Sequence, residues 1–250
     1  IGGMQLFSAE VPGVTHERVT SRIQFVARNI WIIYISLTVL AALLLLAGGM
    51  PLFDSVCHAL STMSSSGFST KQAGLAFWPA RYIHGVIIFF MVIAGTNFNL
   101  IFLLVNGKFR EVFGDEEFRY YLLFILGFTI LIFSGLLATT TIPAGRLFQD
   151  ALFMVVSIIT TTGYVTSDYT TWAPAVGMLL FGLFFFGGMA GSTGGGMKIM
   201  RIVILLKNAW YELRRLIHPK AVLDVRFNKH TVAPKIITNI LAFFILYMMV

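Results

Sequence analysis

Four stretches of the chain carry no Asp, Glu, Lys or Arg over lengths that a water-exposed fold does not tolerate. They are Asn29 to Phe53 (25 residues), Tyr82 to Gly107 (26), Tyr120 to Gly145 (26) and Tyr169 to Met197 (29). At ~1.5 Å rise per residue, roughly 20 helical residues cross a ~30 Å hydrocarbon core, so each stretch predicts a membrane span. A fifth apolar run begins after Lys235 and is still in progress at Val250. Four full spans and a truncated fifth are expected, which reads as a fragment of a longer polypeptide. Composition agrees, because 12% charged residues is half the ~25% of a soluble domain. The fold class expected is an all-α, multi-pass membrane protein with lipid as its first partner.

The net charge of +7 and sequence pI of about 9.7 would suggest nucleic acid if the charges formed a patch. They do not. Fifteen of the 18 Lys and Arg residues lie before the first span, between the second and third, or after the fourth. The remaining connections hold only Lys71 with Arg81, and Arg146. Basic residues gather on the cytosolic side of membrane proteins, so the charge reads as topology and no nucleic-acid partner is expected. A single cysteine, Cys57, excludes an internal disulfide framework.

Sliding the chain against itself by 96 residues aligns Asp54 with Asp150, Ser61 with Ser157, Gly67 with Gly163, Thr70 with Thr166, Phe89 and Phe90 with Phe185 and Phe186, and Ala94-Gly95 with Ala190-Gly191. Matches on Asp, Gly and Thr in the same order point to an internal repeat. Each unit reads as a span, an Asp, a short run (Ser55 to Ser65; Ala151 to Thr161), a Gly, a polar loop and a second span. An 11-residue helix covers only about 16 Å, so the run has to enter and leave on one side as a re-entrant segment. Irregular backbone at that depth needs protein or a water-filled cavity around it. Asp54 and Asp150 stand where N-caps are expected, which would aim each short helix's negative C-terminal end into the membrane.

Ser65, Ser66, Gly67 and Phe68, and at the matching positions Thr161, Thr162, Gly163 and Tyr164, follow those C-terminal ends. Stripping water from a potassium ion requires successive backbone carbonyls aimed at one axis, and glycine reaches the torsions this demands. Neither turn contains a charged side chain, so coordination would come from neutral dipoles. The plainer reading, that Ser, Thr and Gly merely mark turns, is weakened by the second copy.

The fourth span is interrupted by Gly187, Gly188, Gly191 and the triplet Gly194 to Gly196, with Ser192 and Thr193 between. At about 1 kcal/mol per glycine relative to alanine, a regular helix is expensive there and a broken one is expected. Close helix packing through small-xxx-small spacing is the competing account. A Walker loop is rejected, because Met197 occupies the required lysine position and no strand precedes it. Lys198 closes the segment; snorkelling to the cytosolic surface beside Arg201 is expected. His58 and His84 lack metal-ligand spacing, and the spans offer no nucleophile and base on facing helices. An enzyme is therefore not expected.

Three segments, FDSVCHALSTMSSSGFSTK from Phe53, SIITTTGYVTSDYTTW from Ser157 and GGMAGSTGGGMKIMR from Gly187, together resemble the Trk/Ktr/HKT potassium-transport superfamily, nearest its bacterial Trk-type membrane subunits. The likeness covers essentially the whole chain, and Ser66 departs from it where relatives often carry a second glycine. It implies a potassium-channel-like fold of tandem outer-helix, pore-helix and inner-helix units with re-entrant filter loops, four of which surround one pore. The division it implies is a cytosolic lead-in at 1–28, a pore unit at 29–106, a linker at 107–119, a second pore unit with a broken inner helix at 120–200, a basic amphipathic segment at 201–235, and the start of the next outer helix at 236–250. By the same resemblance, K+ is the transported ion with no organic cofactor, and Ser192, Thr193, Gly194, Gly195, Gly196 and Lys198 form a gate. Arg214 and Arg215 would dock a cytosolic nucleotide-binding regulatory subunit, the chain would form homodimers, and it would reside in the cell inner (plasma) membrane. The competing function is a repeat-built secondary transporter binding a larger solute at its broken helix.

Overall fold

The computed structural model describes residues 22–140, 142–218, 224–228 and 230–249. Residues 1–21 of the expected lead-in, and the basic Lys220 and Lys229, lie outside the described residues. The regular secondary structure of the described residues is helical except for one short hairpin. In order, its elements are α1 (Arg22–Ala47), α2 (Leu52–Met63), α3 (Arg81–Ala94), α4 (Phe98–Val105), α5 (Phe109–Gly114), α6 (Glu116–Thr139), α7 (Ala144–Ile159), α8 (Pro174–Leu183), α9 (Ile199–Ile217), β1 (Arg226–Phe227), β2 (His230–Thr231) and α10 (Pro234–Met249).

Ala27–Ala47 and Glu116–Thr139 are each long and apolar enough to cross a membrane. α1 shows why such a helix belongs in lipid. Trp31, Ile35, Val39, Leu43 and Leu46 form an exposed stripe at helical spacing, while Ala41 and Leu45 are buried against the rest of the chain. Two buried threonine hydroxyls in these helices are satisfied within the helix: Thr38 Oγ1 donates to the Tyr34 carbonyl at 2.7 Å and Thr129 Oγ1 to the Ile125 carbonyl at 2.7 Å. Such back-bonding removes the penalty of a lone polar group in hydrocarbon.

The half-length helices are α2 and α7, of 12 and 16 residues, about 18 and 24 Å long and both short of a ~30 Å crossing. Their starts correct the capping expectation. The N-cap residues are Pro51 and Pro143, so Asp54 falls in the first turn of α2 and Asp150 well inside α7. Proline stands ahead of both because its missing N–H is no loss where a helix begins. Asp54 instead accepts from Thr70 Oγ1 at 2.5 Å and pairs with Lys71 at 3.4 Å, tying the outgoing loop to the helix start.

The second span also departs from expectation. Tyr82 to Gly107 forms two helices, α3 and α4, bent by 106°. The kink falls at Gly95 to Asn97, where Gly95 ends α3 and Asn97 caps α4 by accepting from Asn99 N. It is therefore broken at Ala94-Gly95, the partner of Ala190-Gly191 in the 96-residue repeat. The fourth span is helical only from Pro174 to Leu183, and its irregular stretch runs from Phe184 to Lys198. The amphipathic stretch after it is the second half of a longer helix, α9, whose start at Ile199 buries Met200, Val203 and Ile204. A hairpin then follows that sequence patterning did not anticipate.

At the centre of the buried core stand Phe90, Met91, Tyr121, Ile132 and Phe153, all essentially inaccessible. Tyr121 on α6 donates to the Val92 carbonyl at 3.1 Å, and α6 lies so near the kink that a Cβ on Gly95 would sit 2.5 Å from Tyr121 Oη and 2.8 Å from Thr160 Cγ2. Gly95→Ala is therefore expected to destabilise the protein by about 1–3 kcal/mol through overpacking, with part of the loss recovered in the Gly95→Ala/Tyr121→Phe double variant. Thermal unfolding in detergent measures both, and an unchanged Tm for Gly95→Ala would contradict this packing.

Candidate functional site

The C-termini of α2 and α7 lead into two turns whose φ angles and hydrogen bonds match at the repeat offset. Ser64 and Thr160 close the helices at φ −85° and −79°. Ser65 and Thr161 then take φ of 53° and 57°, and Gly67 and Gly163 take 68° and 84°. The hydrogen bonds repeat too. Ser64 N and Thr160 N donate four residues back, Ser65 N and Thr161 N donate to Thr62 and Ile158, and Ser66 N and Thr162 N donate to Ser61 and Ser157, all at 2.9–3.1 Å. Six donors in three matched pairs make the repeat structural.

A left-handed non-glycine residue costs about 1–3 kcal/mol, so Ser65 and Thr161 need a reason. Their side chains supply it. Ser65 Oγ lies 2.9 Å from Thr193 Oγ1, and Thr161 Oγ1 accepts from Gly195 N at 2.6 Å. Both strained residues thus aim their hydroxyls at the glycine-rich segment of the fourth span.

At Gly67 there is no room for a side chain, whereas a Cβ on Gly163 would meet nothing within 4 Å. A Cβ on Gly67 would overlap the Thr162 carbonyl oxygen, so the two backbones touch. Tyr164, 2% exposed, bridges them by donating to the Phe68 carbonyl at 3.2 Å. Its ring stacks on His58 at 6.2 Å, and its own carbonyl accepts from Ser157 Oγ at 2.7 Å. His58 is fully buried, with Nδ1 2.7 Å from the Asp54 carbonyl and Nε2 2.9 Å from Ser69 Oγ. Because a carbonyl only accepts, Nδ1 carries a proton, and the ring acts as a strut beneath the first turn. Ser66 Oγ stays local, 3.1 Å from Ser61 Oγ, and the Phe68 side chain is 77% exposed.

The irregular segment is anchored on every side. Its two limbs pair with each other through Gly187 N to Met197 O at 2.8 Å and Ile199 N to Gly188 O at 3.1 Å. A Cβ on Gly187 would overlap the Gly195 carbonyl. Met189 N donates to Gly95 O at 2.9 Å, Thr193 N and Oγ1 donate to Ala94 O at 3.2 and 3.1 Å, and Phe98 N donates to Gly191 O at 3.2 Å. The two broken spans therefore satisfy one another's loose backbone groups. Ser192 Oγ turns back onto Met189 O at 2.7 Å. Lys198 does not extend to a surface as expected; its Nζ donates to the Gly194 carbonyl within the segment, where the liberated carbonyl offers the ammonium a partner.

Two features escaped sequence reading. Glu117, 5% exposed in the first turn of α6, accepts from Ala190 N at 2.8 Å and Met200 N at 3.2 Å. The Asp115-Glu116-Glu117 run that precedes the third charge-free stretch was the available signal, obscured because it reads equally as a solvated linker. Asn228 in the hairpin was the other. It takes the amide of Glu116 on its Oδ1 at 2.7 Å, gives its own amide to Glu116 Oε2 at 2.9 Å and its Nδ2 to Asp115 Oδ2 at 2.8 Å. Glu116 also pairs with Lys207 of α9. Farther along α9, Arg215 pairs with Glu212 at 2.5 Å and Arg214 lies 5.3 Å from the Trp210 ring. The expected docking arginines thus sit at the exposed end of the helix beside Leu216 and Ile217. In the loop after the second turn, the Thr170 hydroxyl and amide hold the Asp168 carboxyl below its usual range.

The whole chain, residues 1–250, matches the family model described as TrkH, cation transport protein. It is 38% identical over its full length to the Trk system potassium uptake protein TrkH of Halomonas elongata, covering 52% of that protein, and 35% identical to the TrkH of Escherichia coli K12, again covering 52%. The crystal structure of the potassium transporter TrkH from Vibrio parahaemolyticus superimposes with a TM-score of 0.88 at 33% identity, over 99% of this chain and 55% of that one. The chain thus spans about half the length of the relatives it matches. The re-entrant half-helices, the repeated turns and the full-length match agree that this chain belongs to the TrkH family of cation transport proteins.

Proposed function

We propose that this chain supplies two of the four quarters of a potassium pathway in the cell inner (plasma) membrane, transporting ions without enzymatic chemistry or an organic cofactor. In this reading K+ passes the backbone oxygens of Ser65, Ser66, Gly67 and Phe68 and of Thr161, Thr162, Gly163 and Tyr164. The observation that carries it is the repeated turn. Two half-length helices end in backbones of the same torsions, placed against each other at Gly67 and Thr162, as a ring of quasi-equivalent carbonyls requires. Both helix C-termini, with their partial negative charge, converge on that place and favour a cation.

Ser192 to Gly196 is the gate. It lies against both turns through Ser65 and Thr161, so an ion leaving the turns meets it next. Thr193 holds it there by donating to the Ala94 carbonyl, the flanking Met189 and Gly191 are bonded to Gly95 and Phe98, and Lys198, bound to the Gly194 carbonyl, adds a positive charge that opposes a cation in the path. The exposed end of α9, with Arg214 and Arg215 beside Leu216 and Ile217, is the docking surface for a cytosolic nucleotide-binding regulatory subunit, and the whole protein pairs as a homodimer in lipid.

Two outcomes follow in the full-length protein reconstituted into liposomes. Deleting Ser192 to Gly196 is expected to raise rubidium influx several-fold, and unchanged influx would remove the gate. Gly163→Asp, which places a fixed charge and a Cβ at φ 84°, is expected to reduce rubidium uptake to background while membrane expression persists. Uptake equal to wild type would exclude Gly163 from the path and favour a solute site elsewhere.

A further inference from the structure

We propose that Glu117 is a positioning residue that clasps the intramembrane loop shut, and that Glu116 beside it ties this clasp to the cytosolic helix α9; the proposal rests on the gate reading above. The geometry is specific. One carboxylate oxygen of Glu117 receives N–H groups from Ala190 and Met200, which flank the glycine segment on its two sides. That single atom closes the loop into a ring. Glu117 neither caps its own helix, a task Asp115 performs by accepting from Phe118 N at 2.9 Å, nor faces solvent. Its position in the first turn of α6 places it in the favourable field of the helix N-terminus, which lowers the cost of holding an acceptor oxygen in an apolar setting.

Hydrogen bonds to a carboxylate are among the stronger ones in proteins, and an amide left without one in a buried site is expensive. The loop amides at Ala190 and Met200 therefore favour the conformation in which Glu117 reaches both. The other grips on the loop come from the turns and the kinked span, which belong to the pathway itself. Glu117 connects the loop to an outer helix, α6, against which Phe186 also packs through Phe124 and Phe128. One residue earlier on that helix, Glu116 pairs with Lys207 of α9 and receives the Asn228 amide from the hairpin. Lys207 also donates to the Arg226 carbonyl at 2.9 Å. A displacement of α9 or of the hairpin thus acts on the same turn that carries the clasp.

The test uses the full-length protein in liposomes, with rubidium influx and the maleimide reaction rate of a thiol introduced by Thr193→Cys, in a background where Cys57 and any other cysteines are replaced. Glu117→Ala is expected to raise influx at least about tenfold, since two hydrogen bonds to a carboxylate are together worth more than that factor, and to speed thiol modification. Glu117→Gln, which keeps an acceptor oxygen, is expected to show a smaller rise, and Lys207→Ala to shift both readouts in the same direction. Should Glu117→Ala fail to assemble, Glu117→Gln and Glu117→Asp carry the comparison, since Asp is too short to reach both amides. Wild-type influx and thiol reactivity in every assembled Glu117 variant overturn the clasp. Combining Glu117→Ala with deletion of Ser192 to Gly196 separates the two proposals. If the deletion raises influx and Glu117→Ala does not, the clasp alone fails; if the deletion itself is silent, the gate reading fails. The clasp predicts that Glu117→Ala adds nothing once the loop is gone.

Discussion

Backbone amides and carbonyls released inside a membrane have to find partners within the protein, and the rest of this structure depends on how that is done. Two spans are broken in overlapping parts of the repeat, one at Gly95 to Asn97 and the other from Phe184 to Lys198, a stretch that includes Ala190-Gly191. Each break exposes groups that would cost several kcal/mol apiece in hydrocarbon. They are paired with each other: Met189 and Thr193 donate to Gly95 and Ala94, and Phe98 donates to Gly191. Neither break is stable without the other, so the inner helix of the first unit and that of the second form one interlocked body. The turns at the ends of α2 and α7 stand on this body through Ser65 and Thr161.

Strain and function are connected through the same contacts. Ser65 and Thr161 are held in a conformation that most residues avoid, and each directs its hydroxyl at the loop that it covers. The torsions that shape the turns are thereby coupled to the position of the loop. Those two hydrogen bonds join the turns to the loop, so a movement of the loop away from the turns would have to break both. Glu117 and Lys198 add electrostatic fastenings at its margin, one accepting from loop amides and the other donating to a loop carbonyl.

Much of this was legible in the sequence, and the failures have identifiable causes. Charge-free length located α1 and α6, the two described helices long and apolar enough to cross hydrocarbon, and the 96-residue offset located both turns, since Gly67 and Gly163 mark torsions that other residues resist. The all-helical class and the family followed from the same residues. Asp54 and Asp150 misled because an acid ahead of an apolar run looks like a cap, whereas proline two or more residues earlier begins each helix. The kink at Gly95 stayed hidden because Thr96 and Asn97 are not strong helix breakers, and the groups that the kink frees are paired with Met189, Gly191 and Thr193, more than 90 residues away. Lys198 and Glu117 illustrate the same limit: a single charge at a span edge reads as solvated until the backbone it bonds to is seen.

In the proposed function the loop rests against the turns and leaves them when ions pass, and the contact between two side chains that joins them offers a direct measurement. Ser65 Oγ and Thr193 Oγ1 are 2.9 Å apart, near enough for a disulfide between Ser65→Cys and Thr193→Cys in a cysteine-free full-length protein. Oxidation is predicted to halt rubidium uptake in liposomes and reduction to restore it, with neither single variant affected by oxidant. Uptake that continues unchanged through the fully crosslinked protein would contradict the account.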